Sequence, residues 1–201
     1  MDRRIILASG SPRRRELLAD YGVKFDILVT GADEDISKDI RPDIYVSIIS
    51  RRKAESAVAR VNVTPFLIIA ADTVVSIDNR IFGKPKDKAD AKSMLAQLEN
   101  RWHTVLTGLT IAYDKDEKIY YKQEVCKSDV KFKPLSDADI QAYADTDEPY
   151  DKAGGYGIQG KAAQFVEEIR GSRDNVIGLP METIMKMTKL STPKDRSIKT
   201  D

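Results

Sequence analysis

The chain of 201 residues has little of several features that mark particular protein classes. Its one cysteine, Cys126, excludes an intrachain disulfide and is typical of a protein from a reducing compartment. Its one histidine, His103, excludes a metal centre built from several histidines. The sequence has no apolar run long enough to span a bilayer, and its start lacks the pattern of a secretory leader. We therefore predict a cytoplasmic protein without a membrane partner.

An excess of charge of either sign is also missing. The chain has 33 basic and 32 acidic residues, and the net charge of +1 gives no overall attraction to nucleic acid, so we predict no nucleic-acid partner. Any phosphate site must then come from local clustering of cations. With 41% hydrophobic residues the chain can form a real core, and we predict a single domain over residues 1–190. The polar residues 191–201 are predicted to form a C-terminal tail.

The hydrophobic periodicity predicts strands that alternate with helices. Two apolar β-runs, 67–71 and 73–77, are interrupted by Asp72, and two long strands at 102–113 and 119–132 form a central hairpin. Alternating strands and helices favour an α/β fold, and the hairpin favours a mixed sheet. The remaining predicted elements are strands at 5–8, 25–29 and 165–169, and helices at 12–20, 42–60, 87–98, 136–144 and 180–188.

The most informative stretch runs from the first strand into the first helix. Ser11 suits the N-cap position and Pro12 the first helical position. Arg13 and Arg14 follow in the first turn, where the helix dipole disfavours cations unless an anion lies nearby. Together with Ser9, this pattern predicts a phosphate site. A basic run on a solvated surface turn explains the same stretch equally well.

Two acidic residues are candidates for chemistry. Asp72 interrupts two apolar runs, so it either faces a cleft at the end of a strand or caps a turn. Hydrolysis of a phosphoanhydride needs a base, or a carboxylate that holds a metal and its water. Glu34 lies in an acidic loop and could bind Mg²⁺ together with Asp72, although loop acids are usually only solvated.

Three further side chains could contact a nucleotide. Lys53 follows Tyr45 at helical spacing, so it either reaches a cleft or extends past the core to solvent. Lys84 precedes Pro85, which favours an extended backbone at the lysine. Gln159 ends a glycine-rich turn, and its amide offers both a donor and an acceptor. Without further information, Gln159 could equally be a surface residue.

Several blocks of the chain resemble the Maf family of nucleoside triphosphate pyrophosphatases. They occur in the family's order from Ile5 to about Leu190, and together they are highly specific. The resemblance implies a mixed twisted sheet with flanking helices and a cleft between two lobes. The matching blocks are 9–18 (SGSPRRRELL), 71–75 (ADTVV), 83–85 (GKP), 103–108 (HTVLTG), 148–160 (EPYDKAGGYGIQG) and 175–180 (NVIGLP).

The resemblance also implies roles for individual residues. It implies that Asp72 is the proton acceptor and that Glu34 and Asp72 bind a divalent cation, Mg²⁺ or Mn²⁺. It further implies a nucleoside triphosphate substrate and a homodimer. Residues implied in phosphate binding are Ser9, Arg13, Arg14, Lys53 and Lys84, and those implied in substrate specificity are Arg13, Thr73 and Gln159.

The three specificity residues match the group of the family that hydrolyses dTTP and UTP to the monophosphate and pyrophosphate. Modified pyrimidine nucleotides are possible substrates within that group. Two alternatives stay open from the sequence. The same chemistry could act on 7-methyl-GTP or another modified nucleotide, or the chain could be a non-enzymatic regulator of septum formation. A complete set of carboxylates and cations favours the enzyme, since a pure binding protein does not need two carboxylates facing a basic cluster.

Overall fold

The computed structural model describes residues 3–190, so the tail predicted at 191–201 lies outside the described residues. The strands of the described part are β1 (Arg4–Leu7), β2 (Asp26–Ile27), β3 (Phe66–Ile77), β4 (Arg80–Phe82), β5 (Trp102–Lys115), β6 (Lys118–Phe132) and β7 (Val166–Arg170). The α-helices are α1 (Pro12–Asp20), α2 (Pro42–Val58), α3 (Lys88–Leu98), α4 (Asp137–Ala144), α5 (Arg173–Ile177) and α6 (Met181–Thr188). Three short 3₁₀ segments span Pro149–Asp151, Ala153–Gly155 and Lys161–Phe165.

The strands of residues 3–190 form one sheet in the order β2-β1-β3-β5-β6-β7, with β4 paired to part of β3. β1 runs parallel to β2 and β3, and the other pairs are antiparallel. This arrangement confirms the predicted α/β fold with a mixed sheet. The central hairpin of β5 and β6 pairs along its whole length, from Trp102↔Lys131 to Lys115↔Lys118.

Strand β3 differs from the expectation of two runs broken at Asp72. It is continuous, because its backbone pairs with β5 through the polar residue. Its other edge has two partners in succession. β1 ends with Leu7 opposite Ile69, and β4 begins with Phe82 opposite Val75. Between these partners, β3 has an unpaired edge at 70–74, where a ligand can approach the backbone.

Side-chain alternation along β3 explains which face each residue presents. Ile69 and Ala71 pack in the cluster that holds α1 and α6, whereas Ile68 and Ala70 pack in the cluster that holds α2. The same alternation puts Asp72 on the α2 face and Thr73 on the opposite face. Asp72 therefore lies on the side of the sheet that packs against α2, and Thr73 lies on the side that packs against α1 and α6.

Gly108 lets helix α2 pack very close to the sheet. It lies opposite Asp72 in the β3–β5 ladder, and a Cβ there would come within 2.2 Å of the Val46 carbonyl oxygen. The Oγ of Ser50, one turn along the helix, lies 2.9 Å from Thr110 Oγ1 of β5. This close contact fixes the position of α2, and hence of Lys53 on the turn that follows.

A further core cluster lies beyond the unpaired edge. It joins the ends of β3, β5 and β6 to α3 and α4, and it holds large buried side chains such as Leu95 and Phe132. His103 is buried beside it, with Nε2 2.7 Å from the Tyr156 hydroxyl and its ring edge-on to Phe132. Burial lowers the pKa of His103 from 6.5 to about 4. His103 is therefore a neutral core residue in the folded state.

This burial predicts a loss of stability in mild acid. Between pH 6.5 and about 4 the unfolded chain binds a proton at His103 that the folded chain does not, so folding weakens as the pH falls through this window. From pH 7.5 to pH 5 the expected cost is about 2 kcal/mol for this one group. Thermal melts of the wild type and of His103→Gln at both pH values measure this cost. It is the extent to which the wild type loses more stability than His103→Gln between pH 7.5 and pH 5. Equal shifts in the two proteins would contradict the prediction.

Two elements differ in extent from the periodicity. The strand expected at 25–29 is reduced to β2, and the closing helix is preceded by the five-residue helix α5. Ser172 caps α5 by accepting from the Asn175 amide, and Gly178 ends it at a φ of 116°. No helix within residues 3–190 has the length and apolar character needed to cross a membrane.

Candidate active site

A cleft of about 800 Å³ opens at the unpaired edge of β3. Its wall includes residues from the loop after β1, the loop before α2, the loop after β4 and the glycine-rich turn. Every site residue predicted from the sequence lies on this wall. They are Ser9, Arg13, Arg14, Glu34, Lys53, Asp72, Thr73, Lys84 and Gln159.

Arg14 is buried and makes its hydrogen bonds to the protein itself. Its Nε donates to the Gly178 carbonyl (2.7 Å) and its Nη1 to the Ala71 carbonyl (2.8 Å). Nη1 also reaches Ser9 Oγ (3.3 Å), and Nη2 donates to Thr73 Oγ1 (3.0 Å). Four of its five N–H groups are thus engaged. The Ala71 carbonyl has no strand partner on this edge of β3, and Arg14 supplies its hydrogen-bond donor. To bind phosphate through two N–H groups, Arg14 would have to break one of its four hydrogen bonds.

Arg13 has a different environment, because its guanidinium lies in the cleft. Nη1 is 2.6 Å from Asp151 Oδ2 and Nη2 is 3.2 Å from the Asp151 carbonyl oxygen. The same carboxylate accepts from Lys152 Nζ (2.6 Å). Burial opposes ionisation of Asp151, but the hydrogen bonds from Lys152 and Arg13 outweigh it and leave its pKa below the usual value. Asp151 therefore stays charged and holds Arg13 in place.

Lys53 joins the two carboxylates that were predicted as metal ligands. Its Nζ lies 2.7 Å from Asp72 Oδ1 and 3.0 Å from Glu34 Oε1. The side chains of Lys53 and Asp72 are each 13% exposed, so their pairing is shielded from bulk water, while Glu34 is 56% exposed. Lys53 therefore reaches the cleft rather than open solvent. Its ammonium orients Asp72 and draws the Glu34 loop toward β3.

The structure separates Glu34 from its acidic neighbours. Asp33 faces Arg52, at 3.3 Å from its Nη1, and its Oδ1 accepts from the Asp35 backbone amide. Only Glu34 of these three acids lines the cleft. The two anchors, Arg52 and Lys53, are adjacent on α2 and hold the loop against the helix.

The donor set can accommodate a divalent cation. The Glu34 and Asp72 carboxylates lie near each other, since one oxygen of each is within hydrogen-bond distance of the Lys53 ammonium, and that contact leaves the other oxygen of each carboxylate available to a cation. Mg²⁺ takes one or two carboxylates together with waters and substrate phosphates, and this open polar cleft suits that arrangement. Within residues 3–190 no third histidine, cysteine or acidic side chain completes a metal cluster with them.

Thr73, Lys84 and Gln159 line other parts of the cleft. Thr73 Oγ1 accepts from Arg14 and lies 2.9 Å from Thr107 Oγ1, so the protein already fixes its hydroxyl. Lys84 and Gln159 are exposed, and neither forms a side-chain hydrogen bond or ion pair within the described residues. The loop of Lys84 is held in place by its neighbour, since the Gly83 carbonyl accepts from the Gly154 amide.

Sequence reasoning missed several charged residues of the cleft wall. They are Lys38, Lys86, Asp151 and Lys152. With them the wall has seven cationic and three acidic side chains, although the whole chain is almost neutral. Asp151 and Lys152 lie in a block that was quoted for the resemblance, so their position could have identified them. Lys38 and Lys86 carried no such signal.

Comparison of the sequence with known proteins shows the family of this chain. The model of Maf-like proteins matches residues 4–190. The chain belongs to the Maf family. Relatives named dTTP/UTP pyrophosphatase include those from Acetivibrio thermocellus, 42% identical over 92% of this chain and 94% of the relative, and from Clostridioides difficile, 44% identical over 92% and 93%. A third relative with that name, from Thermosipho africanus, is 46% identical over 90% of each chain. The Maf resemblance predicted from the sequence blocks is thus confirmed.

Proposed function

We propose that this Maf protein hydrolyses dTTP and UTP to the nucleoside monophosphate and pyrophosphate. The observation that carries the proposal is a carboxylate pair on a lysine inside a cation-rich cleft, in a chain 42–46% identical to relatives named dTTP/UTP pyrophosphatase. Pyrophosphate release needs a base for water and counter-charge for the phosphates, and the cleft wall offers both.

Asp72 acts as the general base in this proposal. It accepts a proton from the water that attacks the α-phosphorus, and the bond from that phosphorus to the bridging oxygen breaks as pyrophosphate leaves. Lys53 keeps the Asp72 carboxylate oriented through its 2.7 Å contact. The shielded position of the pair strengthens this contact relative to one in open water.

Glu34 and Asp72 hold the divalent cation, Mg²⁺ or Mn²⁺. When bound, the cation supplies positive charge that offsets the phosphate oxygens. Arg13, Lys53 and Lys84 add further charge, with Arg13 able to bind two phosphate oxygens at once. Ser9 and Arg14 complete the phosphate loop, Ser9 through its hydroxyl and Arg14 through the backbone that it holds. The cytoplasmic location and the homodimer stay predictions.

The direct test is a panel of nucleotides with the purified protein and Mg²⁺. UTP and dTTP should be cleaved well, with pyrophosphate and the monophosphate as products, whereas ATP and GTP should be poor substrates. A preference for 7-methyl-GTP would support the alternative specificity. Absence of pyrophosphate release from every nucleotide would favour the regulator and overturn the proposal.

Loss of the second carboxylate should raise the metal requirement. We expect Glu34→Gln to increase the Mg²⁺ concentration at half-maximal UTP hydrolysis by roughly tenfold or more, because one of two charged oxygen ligands is lost. Asp33→Asn is the matched control, since Asp33 faces Arg52 outside the cleft. Magnesium titrations of the activity measure the effect. An equal shift in both variants would show that loop charge, rather than the Glu34 carboxylate, sets the metal requirement.

Gln159 should select the base. Its amide can pair with the O4 and N3–H edge of uracil or thymine, and Gln159→Glu removes the donor and adds a negative charge. The unpaired group costs about 1–3 kcal/mol, so kcat/KM for UTP should fall by roughly 5- to 150-fold. Gln164→Glu, an exposed glutamine outside the cleft, is the control. A Gln159→Glu protein with the wild-type ratio of UTP to CTP turnover would contradict this role.

A further inference from the structure

Arg14 is bonded to carbonyl and hydroxyl oxygens of the protein, and the other six cations of the cleft fall into two groups according to their partners. Arg13 and Lys152 share Asp151, and Lys53 pairs with Asp72 and Glu34. The other group has no counter-charge, since no carboxylate of residues 3–190 lies within ion-pair distance of its ammonium groups. Its members are Lys38, Lys84 and Lys86, all exposed on the cleft wall.

These three lysines lie around one loop, although they come from different parts of the chain. Lys84 and Lys86 flank Pro85 after β4, while Lys38 comes from the loop before α2. The Lys38 ammonium reaches the same loop, because a Cβ added at Gly83 would lie 2.7 Å from its Nζ. The absence of a side chain at Gly83 thus gives room for Lys38 to bridge the cleft mouth.

The backbone of this loop is fixed independently of any ligand. The Gly154 amide donates to the Gly83 carbonyl (2.9 Å), and the Lys86 amide donates to Asp90 Oδ2 (2.9 Å). Pro85 packs against Gly155, where a Cβ would lie 3.1 Å from its Cγ. The lysine side chains therefore project from an ordered loop, and a ligand does not have to order the backbone in order to bind them.

We propose that Lys38 and Lys86 join Lys84 in a subsite for the leaving pyrophosphate. This inference rests on the proposed function, because it assigns a part of the same cleft to one product. Pyrophosphate carries more negative charge than the nucleoside monophosphate, so a cluster of cations without counter-charge favours it most. Ammonium groups are compact point charges that suit phosphate oxygens and offer nothing specific to a planar base. Lys38 and Lys86 thus discriminate between the two products rather than between bases.

The test is product inhibition of UTP hydrolysis, with UMP release as the readout when pyrophosphate is added and pyrophosphate release as the readout when UMP is added. We expect Lys38→Gln and Lys86→Gln each to raise the inhibition constant of pyrophosphate by roughly three- to tenfold, and the double variant by more, while that of UMP changes less than about twofold. Lys115→Gln removes the same charge from an exposed site outside the cleft and should change neither constant. Gly83→Ala keeps every charge but displaces the Lys38 ammonium, so it should also raise the pyrophosphate constant.

Two sets of results would overturn the inference. One is a pyrophosphate constant in Lys38→Gln, Lys86→Gln or Gly83→Ala that matches Lys115→Gln. The other is an equal rise for pyrophosphate and UMP, which would mean a general effect of cleft charge. Calorimetric titration of the same proteins with magnesium pyrophosphate measures the affinity of the subsite without turnover. A wild type that binds pyrophosphate through these lysines but hydrolyses no nucleotide would reject the proposed function and leave the subsite standing.

Discussion

Replacing Asp72 with asparagine should abolish UTP hydrolysis while the protein stays folded and still binds nucleotide. The expected fall in kcat is at least about 10³-fold, since a positioned general base alone is worth about 10²–10⁴. Asparagine keeps the shape of the side chain but cannot accept the proton. Lys53 still has Glu34 as a partner at 3.0 Å, so the substitution does not leave its ammonium without counter-charge.

The measurements are steady-state kinetics, a thermal melt and equilibrium binding of UTP. Removing one negative charge from the cleft should leave UTP affinity equal to that of the wild type or slightly tighter, so that the loss falls on kcat. Asp78→Asn is the control, because Asp78 follows the end of β3 and pairs with Arg101 outside the cleft. An Asp72→Asn protein with wild-type kcat would exclude Asp72 as the base and as an essential metal ligand.

The position of Asp72 shows what the sequence could predict and what it could not. Its polar character between apolar runs correctly marked a cleft residue. The expectation of a broken strand was wrong, because pairing with β5 carries the backbone through residue 72. The break lies instead in the neighbouring strands, β1 and β4, which leave an edge of β3 open between them. Strand partners depend on distant residues, and a local pattern does not contain that information.

The acidic loop and the cleft lysines also show which features the sequence could predict and which it could not. The sequence identified Glu34 and Lys53 as candidates, and Asp33 and Asp35 flank Glu34 in the same acidic loop. Contacts with α2 distinguish them, since Arg52 draws Asp33 away from the cleft. The sequence could not predict that Lys38 lines the cleft. Its ammonium lies where a side chain at Gly83 would be, and Gly83 is 45 positions later in the chain. Local chemistry predicted residues that line the cleft, whereas long-range packing decided how they are paired.

Arg14 and Arg13 are adjacent in sequence, but replacing Arg14 should mainly lower stability, whereas replacing Arg13 should mainly lower activity. Arg14→Ala leaves the Ala71 and Gly178 carbonyls without their donor in a buried site. Hydrogen bonds to a charged group are worth about 1.5–3 kcal/mol each, so a destabilisation of roughly 3 kcal/mol or more is expected. For a chain of this size that lowers Tm by roughly 6–12 °C. Arg13 is more exposed, and within residues 3–190 its guanidinium forms hydrogen bonds to Asp151 alone, so Arg13→Ala should change Tm by less than about 2 °C.

The main kinetic effect is expected at Arg13. Arg13→Ala should reduce kcat/KM for UTP by roughly 10- to 1000-fold, because a charge-assisted phosphate contact is lost, and Arg13→Lys should recover part of it. Arg14→Lys should recover little stability, since one ammonium cannot reproduce donors aimed at Gly178, Ala71 and Thr73. Thermal melts and steady-state kinetics of the alanine and lysine variants at Arg13 and Arg14 test both expectations. If Arg14→Ala kept the wild-type Tm and lost UTP affinity as Arg13→Ala does, then Arg14 would bind phosphate directly and its contacts with β3 would be incidental.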